Sequence, residues 1–452
     1  MQSDTSQMQH RKLGTYLSAI LGIAGNAPAY SIAVTTSTLV AASGWLSPWV
    51  MAFCGLLMFG IAGSYRRLNA HRVSGGAAFT WVSDLVNPVV GFLAGWSLLV
   101  ASILFLVSAS LPAAQTLLSF TGSSVIESKL VVAGVAAVII VGMAFLAKAG
   151  VFSIGRVQAV LTIIELLVLL MILIGCLLAA SDAAVTSIVQ SGKNITTYSV
   201  DAFAKGIVVA VFFYWGWDVV FNASEETKHS EVRSGRAAYI AMLSLVILFT
   251  AYSAFAVEIV SEKSLEDAQG NMLLALSRRV LPSGVAEVAL LAFLLSTIGA
   301  ISASFVQFSQ TLFAQSRAGY FRRFFARSGD STSSPWSAIA FDAVVAFIIL
   351  LAATLSTTID GAVQATIAAS SVLVAFYYGA TALACAAFEK RLHRGISVRH
   401  SGAPIVAACV LIGAAVYSAF AFSMLTLVMV AATYVVGLAI AFSGRQQAQG
   451  IL

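Results

Sequence analysis

Two carboxylates, Glu165 and Asp218, sit within strongly apolar stretches of this chain, and two glycine-containing interruptions sit in stretches of the same kind. Glu165 lies near the middle of the run 154–180, with no Lys or Arg within one helical turn. Keeping such a carboxylate ionised in hydrocarbon costs several kcal/mol, so the group takes up a proton readily. A carboxyl that gains and loses a proton while facing alternate sides of a barrier can carry that proton across. It can equally bind a cationic solute or a sodium ion, or remain protonated against a backbone carbonyl. Asp218 closes the stretch Phe213-Tyr214-Trp215-Gly216-Trp217-Asp218, where proton or cation coupling and simple helix organisation are both open readings. Asp342 and Glu287 are further embedded acids, read as structural.

The first interruption reads Gly22-Ile23-Ala24-Gly25-Asn26-Ala27-Pro28 inside the apolar run 13–40; the second is the aromatic stretch above, inside 200–221. Gly and Pro weaken helices, and freed backbone groups persist in hydrocarbon only where they line a cavity or hold a ligand. The N-terminus of a half-helix offers N–H donors and partial positive charge, which suit a carboxylate; nearby carbonyls suit an ammonium group. An α-amino acid carries both. The candidate substrate contacts are therefore Gly22, Ile23, Ala24, Gly25, Asn26 and Ala27, with Phe213, Tyr214, Trp215, Gly216 and Trp217 facing them. Aromatic rings there can wall off a side chain, close over it or stack on a cation, and can also be plain core packing. A helix kink without a ligand is the competing reading of the first break. Asn26 is either a polar handle in the cavity or a cap of the second half-helix. Ser296, Thr297, Ser302 and Ser304 could supply hydroxyls to sodium, although Ser and Thr in such helices more often bond their own backbone.

These residues need elements to hold them. The chain has 452 residues, 59% of them hydrophobic and 10% charged, against about 25% charged in a soluble domain. Its mean hydropathy is +0.93. Twelve apolar runs of membrane-crossing length predict an all-α integral membrane protein, with the first and sixth helices interrupted. The last stretch, 403–442, would span about 60 Å as one helix and must fold back near 418–423. Laying spans one to five over six to ten, with an offset of about 190 residues, superimposes the two breaks and implies a five-plus-five inverted repeat. The expected organisation is a tail at 1–12, a first repeat at 13–181, a second at 199–390, two added helices within 403–443 and a tail at 444–452. Residues 66–86 read as an interfacial helix before the third span.

The net charge is +6, but the basic residues are scattered through short loops and form no patch for nucleic acid. Most of them, among them Arg66, Arg67, Arg72, Arg233, Arg317 and Arg394, fall on one side of the expected topology. This places both termini in the cytoplasm and the protein in the plasma (inner) membrane. A polar dozen residues leads into the first span without a cleavable signal pattern. The four cysteines have no metal-ligand spacing, and the five histidines fall outside the spans, which excludes an intramembrane zinc protease or histidine relay. The loop 225–236 and Arg317 alternate in sign at the cytoplasmic face and could form an ion-pair gate or a solvated face.

Several patterns resemble the amino acid–polyamine–organocation (APC) superfamily. Ser74-Gly75-Gly76-Ala77-Ala78-Phe79, followed by Asn87-Pro88 and Gly91-Phe92, is similar to the family's approach to the third helix. Phe212-Phe213-Tyr214-Trp215-Gly216-Trp217-Asp218, then Glu225-Glu226-Thr227-Lys228, resembles its sixth-helix signature, and Gln315-Ser316-Arg317-Ala318-Gly319 with Pro335 its motif after the eighth. The chain departs from the family at Gly25-Asn26-Ala27, where Gly-x-Gly is usual, and at Glu165, where many proton-coupled members carry lysine. The resemblance implies a LeuT-like secondary transporter with Trp215 as a gating ring. The expected activity is proton-coupled import of an amino acid or related small amine, with no catalysis and no cofactor beyond the coupling ion. Sodium is the second choice of ion. A polyamine carrier, an exchanger and a non-transporting sensor on the same scaffold are the alternatives. The oligomeric state is not legible.

Overall fold

The computed structural model describes residues 13–120, 128–148, 151–180, 200–326, 335–355, 358–392, 398–419 and 424–449. The expected tail at 1–12 and residues 420–423, within the expected fold-back of the last stretch, lie outside the described residues. Among these the chain is helical, and its one β-bridge joins Leu13 to Thr227.

The helices follow the apolar runs. After α1 (Thr15–Gly25) come the short α2 (Pro28–Tyr30), a π-helical turn Ser31–Thr35, α3 (Thr36–Ser43) and α4 (Ser47–His71). Then follow α5 (Ala78–Leu85), α6 (Pro88–Ser119), α7 (Lys129–Ala147) and α8 (Val151–Ala179). The second half holds α9 (Val200–Phe213), α10 (Val219–Asn222), α11 (Ser230–Ile259), α12 (Glu262–Asp267) and α13 (Met272–Val280). It ends with α14 (Val288–Arg317), α15 (Trp336–Ala353), α16 (Ile359–Leu392), α17 (Val398–Ala419) and α18 (Met424–Gln449). Among the described residues nine stretches are long and apolar enough to cross a bilayer by length and composition. One of them, Thr15–His71, has 57 residues, far more than the roughly 20 that one crossing needs. The interrupted pair α9 and α10 and the apolar Gly402–Tyr417 are shorter.

Starts and stops follow local chemistry. Pro28, Pro48 and Pro88 each occupy the first or second helical position, where a missing N–H is no loss. Asn87 Oδ1 accepts from the Val89 N–H at 2.8 Å and caps α6. The stretch 66–86 is not one interfacial helix. Residues up to His71 continue α4, and a separate short helix begins at Ala78 beyond Gly75-Gly76.

Beside an apolar core, the helices expose apolar faces outward. On α8, Gln158, Thr162, Glu165, Leu169, Ile172 and Cys176 are buried, a stripe spaced alternately by four and three residues. Val160, Leu167, Ile174 and Leu178 of the same helix are exposed. The polar groups of this helix thus face the bundle, together with Leu169 and Ile172, and the outward face is apolar throughout these positions, as a bilayer requires. The stripe packs on α14 and α1. α14 in turn packs on α6, and α11 on α4 and α1, which surrounds both interruptions with helices.

Candidate functional site

The first interruption is narrower than the sequence suggests. α1 stays helical through Gly22, Ile23 and Ala24 as far as Gly25, and the chain turns at Asn26-Ala27. Ala27 takes φ of 51°, the left-handed region, just before Pro28 restarts the helix. Gly22 therefore serves packing. A Cβ there would stand 2.9 Å from Val220 Cγ2 and 3.2 Å from the Trp217 carbonyl oxygen.

The N–H groups around this turn all have partners. Those of Asn26 and Ala27 donate to the carbonyls of Ile23 and Ala24, each at 3.1 Å, and that of Ser31 to Ala27 at 2.8 Å. Pro28 has none. The Ala29 N–H donates to Glu165 Oε1 at 2.9 Å and the Tyr30 N–H to Ser296 Oγ at 3.2 Å. Glu165 is 1% exposed. Its Oε1 accepts from a backbone N–H of the restarting half-helix. Thr297 and Ser302 bond the Phe293 and Ile298 carbonyls on their own helix, as expected of membrane hydroxyls.

The second interruption runs from Tyr214 to Asp218. Gly216 takes φ of 107°, which only glycine adopts without strain, and α10 restarts with the Val219 N–H on the Gly216 carbonyl at 3.2 Å. Asp218 is held by three neutral donors: Gln307 Nε2 and Tyr378 Oη at 3.0 Å on Oδ1, and Tyr377 Oη at 2.9 Å on Oδ2. These come from α14 and α16, so the carboxylate ties the second break to two other helices.

The two breaks meet. Asn26 Nδ2 donates to the Trp215 carbonyl at 2.9 Å across 189 residues of sequence, so Asn26 does not cap its own half-helix. Beside this contact lies a cavity of about 10 Å³, roughly the room that one water molecule needs. Gly25, Asn26, Trp215 and Gly216 line it from the breaks, Phe212 from α9, and Ser31 from the π-turn. Phe105 of α6 and Ala300, Ser304 and Gln307 of α14 complete the wall. The Asn26 Oδ1 and the Trp215 Nε1 are both buried without a hydrogen-bond partner.

Of the candidate substrate contacts, only these four residues of the breaks line the cavity; Ser304, one of the hydroxyls considered for sodium, lines it as well. Phe213 packs edge-on against Phe249 with centroids 5.2 Å apart, the Tyr214 hydroxyl donates to the Met51 carbonyl at 3.0 Å, and Trp217 stacks on Tyr378 at 5.7 Å. Gln307 could have been found as the first of three amides, with Gln310 and Gln315, in the second half of an apolar run; Phe105 carried no signal.

A second cavity, of about 480 Å³, opens between the loop after α4, α5 and the end of α14. Gln310 lines it, one turn beyond Gln307 of the central cavity. Its rim is tied by the Gly75 N–H donating to Glu225 Oε1 at 2.8 Å and by Asn222 Nδ2 donating to the Gly75 carbonyl at 2.9 Å. Arg72 pairs with Asp84 at the same rim. Glu225 therefore bonds the Gly75 backbone rather than Arg317, whose guanidinium lies 5.7 Å from the Phe313 ring centre. Of the expected gate, a Glu225–Arg317 pair is thus not formed.

An all-helical membrane protein whose two interrupted helices meet around a small buried polar cavity has the architecture of a LeuT-like transporter. The chain belongs to the amino acid permease family, whose family model matches residues 15–443. It is 28% identical over 214 residues to PlaP, a low-affinity putrescine importer of Escherichia coli K12, and equally to that of strain O157:H7. The match covers 45% of this chain and 45% of each relative, so it reaches less than half their length. Two variants of a manganese transporter from Eremococcus coleocola share the fold, with TM-scores of 0.59 and 0.58 at 13% and 12% identity. Those alignments cover 96% of this chain and 92% of theirs.

Proposed function

We propose that this protein is a secondary active transporter that imports a small amine-bearing solute, an amino acid or a related amine, across the plasma membrane with protons. In this reading it has twelve spans, a five-plus-five inverted repeat with two added helices, and cytoplasmic termini. The observation that carries it is the pair of unpartnered polar atoms, Asn26 Oδ1 and Trp215 Nε1, buried on the cavity where the breaks meet. A buried acceptor left unpaired is unfavourable by about 1–3 kcal/mol, and an ammonium group bound there would relieve it. The likeness to a putrescine importer favours an amine-bearing cargo.

Coupling runs through Glu165. Its carboxylate bridges α8 to the restart of the first broken helix through the Ala29 N–H. Charge strengthens such a hydrogen bond and protonation weakens it. A proton on Glu165 would thus loosen α8 from the half-helix that lines the solute cavity, which links proton occupancy to the arrangement of the breaks. Sodium is the second candidate ion, and no catalytic step is involved.

Purified protein in liposomes with an acid exterior tests this. Wild type should accumulate labelled amine above equilibrium. Glu165→Gln should lose gradient-driven accumulation and keep one-for-one exchange. Accumulation by the variant equal to wild type would remove Glu165 from the coupling path.

A further inference from the structure

We propose that the segment 222–228, which directly follows the second break, is a strap that closes the path between the central cavity and the second cavity. The inference rests on the transport reading above and says how one end of that path is shut.

The strap starts where α10 lies along α14. Asp218 accepts from Gln307, and one turn further Asn222 Nδ2 donates to Thr311 Oγ1 at 3.2 Å. These two rungs bracket the step from Gln307, which lines the central cavity, to Gln310, which lines the second. Asn222 also donates to the Gly75 carbonyl, and Glu225 Oε1 accepts from the Gly75 N–H, so both backbone groups of Gly75 are held. A Cβ on Gly75 would stand 3.1 Å from the Asn222 carbonyl oxygen and from Gln310 Oε1, tight enough to push loop and strap apart. Two residues on, Ala77 takes φ of 38°, a region that favours glycine, so the clasped loop is held against its own preference.

The far end of the strap holds the first broken helix. The Leu13 N–H donates to the Glu226 carbonyl at 3.2 Å and the Lys228 N–H to the Leu13 carbonyl at 3.0 Å, which makes the β-bridge between Leu13 and Thr227. Leu13 is fully buried just ahead of α1. Its side chain also reaches α8, where a Cβ on Gly155 would lie 3.6 Å from Leu13 Cδ2. The strap between these anchors is a stiff turn. Thr227 bonds back twice, its Oγ1 to the Ala223 carbonyl and its N–H to the Ser224 carbonyl, both at 3.1 Å. One rigid turn thus ties α1, the loop 72–77 and α14 together beside the second cavity. Freeing α1 and the loop from it breaks four hydrogen bonds, and the strain at Ala77 offsets part of that loss.

The rate at which Ser304→Cys is labelled in the central cavity reads the strap, in a Cys409→Ser background because Cys409 is the exposed native thiol. Membrane-impermeant trimethylammonium-ethyl methanethiosulfonate is applied to inside-out vesicles, which present the strap in the expected topology, and to right-side-out vesicles. Glu225→Ala frees the Gly75 N–H, and Leu13→Pro removes the N–H that bonds Glu226. Each should speed labelling from the strap face by between about twofold and tenfold, the shift in open population that one lost hydrogen bond gives. Arg72→Ala breaks the Arg72–Asp84 pair at the same rim without touching the strap, and should label like wild type. Glu225 is exposed, so its variant carries the test even where Leu13→Pro does not fold. A Glu225→Ala rate equal to wild type would overturn the strap. So would an equal rise from both faces, which reports loosened packing in place of a one-sided gate. Either result beside amine accumulation by wild type leaves the transporter reading standing. Accumulation of no amine or amino acid by wild type would overturn that reading and the strap with it.

Discussion

Gly25 and Gly216 stand back to back, each occupying the space where a side chain on the other would go. A Cβ on Gly25 would lie 2.6 Å from the Gly216 carbonyl oxygen, and one on Gly216 would run into the Gly25 carbonyl. This contact brings two interrupted helices, far apart in sequence, to a common cavity.

Substitution at either glycine should therefore part the breaks. Gly25→Val and Gly216→Val are expected to lose solute binding, with an overpacking penalty of about 1–3 kcal/mol. Gly216→Ala adds backbone strain, because φ of 107° is closed to other residues. Thermal unfolding in detergent and binding of labelled amine check both effects. Wild-type binding in the valine variants would show that the cavity does not depend on this contact.

Glu165 offers a comparison between charge and hydrogen bonding. Glu165→Gln retains a side-chain oxygen for the Ala29 N–H, so its unfolding temperature should stay near wild type. Glu165→Leu leaves that N–H without its partner, a loss of about 1–3 kcal/mol. The leucine variant should thus melt several degrees lower while both lose proton-driven accumulation. Equal melting of all three proteins would contradict the bridging role read from the 2.9 Å contact.

The two buried aspartates should respond oppositely. Asp218 satisfies three donors. Asp218→Ala would leave Gln307, Tyr377 and Tyr378 unpaired together, at about 3 kcal/mol or more. Tyr377→Phe alone should lower stability by about 1 kcal/mol. Melting curves of the two variants and their double mutant would show non-additivity, because the groups share one network.

Asp342 of α15 is fully buried with neither oxygen hydrogen-bonded. Removing an unpaired polar group should relieve a penalty, so Asp342→Leu is expected to match or exceed wild type in unfolding temperature. A fall of several degrees, or loss of uptake, would contradict that expectation.

The helices were readable because bilayer crossing demands length and apolarity, and both are written locally. The inward face of α8 was readable too, since Gln158, Thr162 and Glu165 repeat at helical spacing. The limits of the first break were not. Gly22 suggested an opening, yet a helical glycine is unfavourable by only about 1 kcal/mol relative to alanine, and packing against Val220 favours the helix there. The turn falls at Asn26-Ala27 because the restarting helix finds its donors' partners on Glu165 and Ser296, 136 and 266 residues away. Phe105 enters the site from α6, and the Glu225 bond to Gly75 replaces an ion pair, through contacts equally remote in sequence.

The central claim is that solute occupies the cavity between the two breaks. Ser304 lines that cavity, and Cys409 is the exposed one of the four free cysteines. Alkylation of Ser304→Cys in a Cys409→Ser background reads occupancy directly, with putrescine and ornithine tested in parallel. At least one of them should slow labelling saturably, with half-protection near its half-saturation for uptake. Labelling that proceeds at an unchanged rate under a saturating concentration of a transported solute would place the solute elsewhere and contradict the account.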